Sequence, residues 1–257
     1  TGTSATGAYW CPVPTLPACN IARLPVTNAE FALFMAAQGY QQQAWWTANG
    51  WQFVRDRAHA EPLVQPSHWN HAAFAAPNQP VVGVSWYEAA AYCAWLTDQG
   101  RRAGWLAPTA TLRLPTSAEW HAAATHGEGR PYVWGDAPPT PEHANYDATA
   151  VHAPTAVGCF PQGQAACGAL DLAGNVWEWT CTLHHPARHA SPELSPQHDF
   201  APDQQPIIRG GAFNWSHEYL HNQQHYWFSA AQRRNLVGFR LVQVDLAAAP
   251  TDNHKGA

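Results

Sequence analysis

"RGGAFNWSHEYLHNQQHYWFSAAQRRNLVGFR", residues 209–240, is the stretch on which the reading of this chain turns. Within it "HEYLH", His217 to His221, matches the zinc-peptidase pattern, in which two histidines one helical turn apart grip the metal and the glutamate, here Glu218, acts as base. That chemistry needs an α-helix to bring His217 and His221 to one face. Here the motif comes soon after the paired glycines Gly210 and Gly211, with no amphipathic helical pattern around it. A third ligand could come from His184, His185, His189 or His198, none of them fixed by spacing. His217 and His221 are expected to be polar surface contacts, or partners of the neighbouring aromatic residues.

Upstream the chain has a different grammar. Thr27 to Glu30, Ser85 to Glu88 and Thr116 to Glu119 each place a hydroxyl three residues before a glutamate, the reciprocal box that satisfies the first free N–H groups of a helix. Each box opens an alanine- and aromatic-rich run that ends at Gly39, Gly100 or Gly127, so three helices are expected. Phe31, Phe34 and Met35, and likewise Tyr87, Ala91 and Trp95, give one apolar stripe per helix. Between and after the helices, short apolar runs are split by Pro, Gly, Asn and His, a pattern of brief strands and long loops, with "PIIRGGAF" and "VGFRLVQV" the two clearest strands. Residues 184–206 read as an exposed proline-rich loop, and 247–257 as a flexible tail. One α+β domain over 1–257, loop-rich, is the economical expectation.

Composition narrows the function classes. With 46% hydrophobic residues in 257, a sizeable core is available, while the charged fraction of 12% is about half the usual share. A net charge of −5, with 13 basic residues and no basic run, argues against nucleic acid as a partner. No apolar run approaches the roughly 18 residues of a membrane span. The sequence opens at Thr1 rather than a methionine, and the compartment stays open between cytoplasm and secretion. Cys11 and Cys19, like Cys159 and Cys167, bracket short loops and are compatible with a bridge in each pair or with free thiols.

Taken in order, "LPVTNAEFALFMAAQGY", "QPVVGVSWYEAAAYCAWL", "LRLPTSAEWHAAA", "YVWGD", "ANYDA", "VGCFPQG", "GALDLAGNVWEWT", "IIRGGAF" and "NLVGFRLV" resemble the formylglycine-generating enzyme (sulfatase-modifying factor) domain family, a C-type-lectin-like fold. The resemblance spans about residues 22–243. It implies copper held by two cysteines after the RGG strand, but Trp215 and Leu220 stand at those places, and neither side chain can ligate copper, so no copper is expected. A related branch, the variable proteins of diversity-generating retroelements, ends in a segment of this kind, in which a reverse transcriptase randomises adenines between a fixed strand like "RGGSW" and a fixed "GFRLV". Residues 209–242 are similar in place and length. That likeness puts Trp215, Ser216, Tyr219, Gln224, Tyr226, Trp227, Phe228, Ser229, Gln232, Arg234, Asn235 and Leu236 at randomised, ligand-facing positions.

The chemistry of this set supports a binding surface in its own right. Tyr and Trp give large contact area at low entropic cost, and Ser, Asn and Gln adapt their hydrogen bonds. The plainer reading packs the aromatic residues in the core, but the segment sustains neither helical nor strand period. The resemblance also implies calcium at "DLAGNVWEW", on the carboxylates of Asp171 and Glu178 and the carbonyls of Gly174 and Val176, hard oxygen donors that suit Ca²⁺. Alternatively Asp171 caps the turn and Glu178 pairs with an arginine such as Arg209. A second family calcium site would involve Asn145 and Tyr146, but the stretch supplying its other ligands is shortened. The expectation from sequence is therefore a non-catalytic protein, not an enzyme, displaying a diversified surface to an unknown protein or other macromolecule. The alternative is a metal-dependent enzyme, either a zinc hydrolase through "HEYLH" or a formylglycine-generating-type oxidase.

Overall fold

The computed structural model describes residues 9–13, 16, 18–57, 61–185 and 196–245. The tail expected at 247–257, and residues 186–195 of the proline-rich excursion, lie outside the described residues. The expected α+β class holds. Among the described residues there are four α-helices, α1 (Asn28–Ala36), α2 (Ala48–Arg57), α3 (Trp86–Arg102) and α4 (Ser117–Thr125).

All three predicted capping boxes form. Thr27, Ser85 and Thr116 each accept from the N–H of Glu30, Glu88 or Glu119, and each glutamate returns the bond to the N-cap backbone. The helix ends differ from expectation. α3 runs through Gly100, whose missing Cβ leaves room for the Trp105 ring and Leu106, and stops before Gly104, which takes the left-handed φ of +76°. α1 stops at Ala36, and the left-handed Gln38 turns the chain one residue before Gly39, which faces the Phe34 ring. α2 is the helix that sequence did not anticipate. Thr47 Oγ1 accepts from Gly50 N at 3.1 Å, but glycine at the third position cannot return the bond, so the capping box is absent. The predicted stripes are buried except at Met35, which is half-buried: Phe31 and Tyr92 stack at 5.5 Å between ring centres, and Phe34 meets Trp95 edge-on at 5.8 Å.

Two four-stranded sheets complete the architecture. The first has the order β1 (Trp10–Pro12), β2 (Cys19–Ala22), β8 (Val242–Asp245), β3 (Ala110–Arg113), all antiparallel. The second has the order β6 (Tyr226–Trp227), β5 (Pro206–Arg209), β4 (Trp177–Leu183), β7 (Val237–Gly238), with β4 and β7 parallel. "VGFRLVQV" is therefore two strands in different sheets, because the chain leaves β7, passes Phe239, Arg240 and Leu241 through the interior, and enters β8. β4 is buried along nearly its whole length, so its two faces serve two separate core clusters. Trp177 and Trp179 enter the larger cluster with Phe31, Tyr92 and Phe239, while Glu178 between them turns toward Trp120 in the other.

Candidate functional site

The alternation along β4 builds both halves of the site. On one side the Glu178 carboxylate is fully buried and grips Arg240, which is also fully buried, through two bonds of 2.7 Å, Nε to Oε2 and Nη2 to Oε1. The Trp120 indole N–H donates to Oε2 at 2.8 Å. Arg240 spends its remaining donors on the carbonyls of Ala22 at 3.1 Å and Leu170 at 2.9 Å. The forked guanidinium of Arg240 matches the carboxylate edge. Arg209 sits opposite Glu178 in the β4–β5 register, but donates instead to Ser117 Oγ at 2.8 Å and to the carbonyls of Asn222 and Gln224, both at 3.0 Å.

The turn before β4 carries the expected calcium donors. Asp171 and Asn175 are left-handed, as is Gly174, where a Cβ would lie 2.4 Å from the Asn145 carbonyl oxygen. Asp171 Oδ2 accepts from Gly158 N at 2.6 Å, whereas Oδ1 is buried without a hydrogen-bond partner among the described residues. Burial, helped by the charge of Glu178 and opposed by the Gly158 bond and Arg240, pushes the Asp171 carboxyl up to about 6. An unpartnered buried carboxylate oxygen is what a hard cation satisfies. Glu178 Oε2, with two donors, is saturated, while Oε1, with one, keeps a lone pair.

On the other side of β4, Trp177 forms the floor of an aromatic face. Trp215 meets it edge-on at 5.2 Å, and Tyr219 edge-on at 6.0 Å. Trp215 in turn contacts Tyr219 at 4.4 Å and Tyr226 at 5.2 Å, and Tyr226 reaches Phe228 at 5.4 Å. Arg234 lies over the Phe228 ring at 5.2 Å, and His184 stacks on Trp227 at 3.7 Å. Gln224 and Arg234 are exposed; Trp215, Ser216, Tyr219, Tyr226, Trp227, Phe228, Ser229, Gln232, Asn235 and Leu236 are half-buried. Trp215, Tyr219, Tyr226, Phe228 and Leu236 rest one side on the main core and leave the other open. The Trp177 indole N–H is buried without a hydrogen-bond partner among the described residues.

Two supports of this face were not singled out from sequence. One is Trp177, recognisable only as part of "NVWEW". The other is Arg233, between the predicted positions Gln232 and Arg234, which binds the buried Glu88 carboxylate through Nε and Nη2, both at 3.0 Å, while Tyr40 donates to the same group at 2.6 Å. The capping glutamate of α3 thereby anchors the segment.

"HEYLH" does not form the zinc-peptidase helix. His217–Leu220 is a single 3-10 turn, His217 is exposed, and His221 packs edge-on against Tyr132 at 5.7 Å. Among the described residues no three His, Cys, Asp or Glu side chains are grouped to hold a metal ion. The two places where the family resemblance sets copper ligands hold the half-buried Trp215 and the buried Leu220, and neither offers a ligand atom. No helix among the described residues is long and apolar enough to cross a membrane.

The fold and this site define a domain of the formylglycine-generating type. Residues 13–244 match the sulfatase-modifying factor enzyme 1-like domain, and the chain belongs to that family. A hercynine oxygenase of Mycolicibacterium thermoresistibile is 33% identical over 90% of this chain and 52% of its own length. Proteins of the same name from two further mycobacterial species match over the same share of this chain. A formylglycine-generating enzyme of Streptomyces coelicolor is 33% identical over 76% of this chain and 67% of its own. In structure, Treponema denticola variable protein 1 superposes with a TM-score of 0.60 at 20% identity, covering 88% of this chain and 84% of that one, which shows the shared fold. The chain spans about half the length of the hercynine oxygenases it matches. These relatives overturn the expectation that the protein is not an enzyme, because they place it beside catalytic members of the family. The physical reason for the error is that an open aromatic face with adaptable polar neighbours serves a captured ligand and a bound substrate equally well.

Proposed function

We propose that this chain is the formylglycine-generating-type part of an oxygenase acting on hercynine or a close analogue, with the aromatic face forming one wall of the substrate cleft. The observation that carries this reading is the 33% identity to a hercynine oxygenase, extending over 90% of the chain. The geometry supports it: Trp215, Tyr219, Tyr226 and Phe228 offer open rings above a rigid Trp177 floor, a surface suited to flat or cationic small molecules. Ser216, Gln224, Ser229, Gln232 and Asn235 supply adaptable hydrogen bonds around them, and Trp227, Arg234 and Leu236 complete the rim. In this reading the role of the aromatic face is to bind and orient substrate.

Hercynine-dependent oxygen uptake by the complete natural protein tests the reading, with ferrous and cuprous ions supplied in separate arms. Uptake in at least one arm is expected, and Trp215→Ala should lower kcat/KM about ten-fold or more with little change in Tm. No uptake in either arm, together with no quenching of tryptophan fluorescence by hercynine, overturns it.

A calcium ion is assigned a structural role beside this site, held by Asp171 Oδ1, Glu178 Oε1 and the carbonyls of Gly174 and Val176. The unpartnered Asp171 oxygen is what supports it. The ion would neutralise the carboxylate that burial otherwise disfavours.

A further inference from the structure

We infer that Cys11 and Cys167 are an oxidisable thiol pair that closes to a disulfide, tying β1 to the loop before the Asp171 turn. The inference stands apart from the proposed oxygenase activity. The loop-bracketing pair Cys11–Cys19 suggested by the sequence spacing does not fit the structure. Cys11 is opposite Ile21 in the β1–β2 register, so Cys19 is a diagonal neighbour, at a Cα separation of roughly 7–8 Å, too far for unstrained bridging. Cys159 is exposed, whereas Cys167 is half-buried and packs on the cluster that contains Cys11.

Cys11 and Cys167 approach each other although about 155 residues separate them in sequence. Cys11 is 5% exposed, and its sulfur lies 3.5 Å from where a Cβ on Gly168 would stand, which puts it against the backbone next to Cys167. The two thiols are near enough that each shifts the titration of the other. As a thiol Cys167 donates to the Ala123 carbonyl at 3.4 Å; as a thiolate it accepts from Cys11 and from the Ala169 N–H. Acceptance from Cys11, partly opposed by burial and aided by Ala169, lowers the Cys167 thiol to about 6, while donating that bond and being buried push Cys11 up. The pair is thus divided into an accessible attacking sulfur and a buried resolving one.

The oxidant is a low-molecular-weight disulfide. The Cys167 thiolate attacks one of its sulfurs, breaking that S–S bond and releasing one small thiolate. The Cys11 sulfur then attacks Cys167 in the mixed disulfide, expelling the second small thiol. Two electrons pass from the protein pair to the small disulfide, and the two protein protons end on the two small thiols.

Incubation of the full chain with glutathione disulfide, followed by digestion without reduction and mass spectrometry, tests this. The expected results are a linked Cys11–Cys167 peptide pair and a Tm raised by about 5 °C or more, both reversed by dithiothreitol. Cys11→Ser should trap glutathione on Cys167, and Cys167→Ser should show neither linkage nor Tm shift. Free alkylation of both cysteines after the incubation, or linkage of Cys167 to Cys159 instead, overturns the inference.

Discussion

Trp177 and Glu178 are adjacent on β4, yet they belong to regions governed by different physics. Glu178 faces a closed arrangement: its carboxylate accepts from the guanidinium and the indole N–H, and Arg240 spends its other donors on backbone carbonyls from distant parts of the chain. Trp177 faces an open one, in which aromatic rings lean on each other at their edges and keep one side toward solvent. In the first region every bond presupposes the others, so a single change leaves a buried charge stranded. In the second, contacts are apolar and incompletely buried, so residues can vary without unfolding the protein while ligand preference changes. A shared strand lets the rigid side hold the variable side in place.

Substitutions should expose that asymmetry in graded fashion. The largest effect is expected from Arg240→Leu, which leaves Glu178 buried with the Trp120 N–H as its main donor and should cost about 3–5 kcal/mol in urea denaturation. The double variant Arg240→Leu with Glu178→Leu should recover much of that loss, because the stranded charge goes too. Equal destabilisation in the single and double variants would show that packing, not charge, dominates there.

Asp171 sharpens the comparison from the edge of the closed region. Its carboxyl rises from the usual 3.8 to about 6 in the folded chain, so the folded state holds the proton more tightly than the unfolded state. Stability from this group is then fully present below about pH 4 and lost as pH rises through 6, by about 3 kcal/mol. Calcium should flatten that slope by stabilising the ionised form. Asp171→Asn, tolerated at the left-handed φ of +55°, should give a flat profile with and without calcium in denaturation between pH 4 and 8. A slope unchanged by the substitution would assign the effect to another group.

The smallest effect is expected within the open region but away from its rings. Glu218→Gln, on an exposed side chain in the 3-10 turn, should move stability by no more than about 0.5 kcal/mol and leave hercynine-dependent oxygen uptake intact. Loss of uptake would restore a catalytic role to the "HEYLH" segment.

What sequence made legible follows the same division. Local signals with a complete chemical partner were readable, as in the three hydroxyl–glutamate boxes that open α1, α3 and α4. α2 escaped because Gly50 removes half of the box, and the extension of α3 past Gly100 escaped because the packing of Trp105 and Leu106 that requires a glycine there is visible only in three dimensions. Which arginine pairs with Glu178 was not legible for a related reason: strand register favours Arg209, but the path of the chain between β7 and β8 delivers Arg240 with both nitrogens aligned. The candidate ligand-facing residues were placed by the likeness to variable regions, and the aromatic and polar composition between "RGG" and "GFR" only supported them. Whether such a face merely holds a molecule or presents it for reaction was not written in that composition, and it took the relatives to correct it.

The position of β8 has a consequence for biosynthesis. It lies between β2 and β3, so two strands made before it find their central neighbour only once residues 242–245 have been synthesised. Arg240, arriving in the same late stretch, completes a junction with Ala22 and Leu170 that earlier segments must leave vacant. A nascent chain stalled before that point exposes two unmatched strand edges to its surroundings, which makes the interval before β8 emerges the period when this domain depends most on chaperone protection.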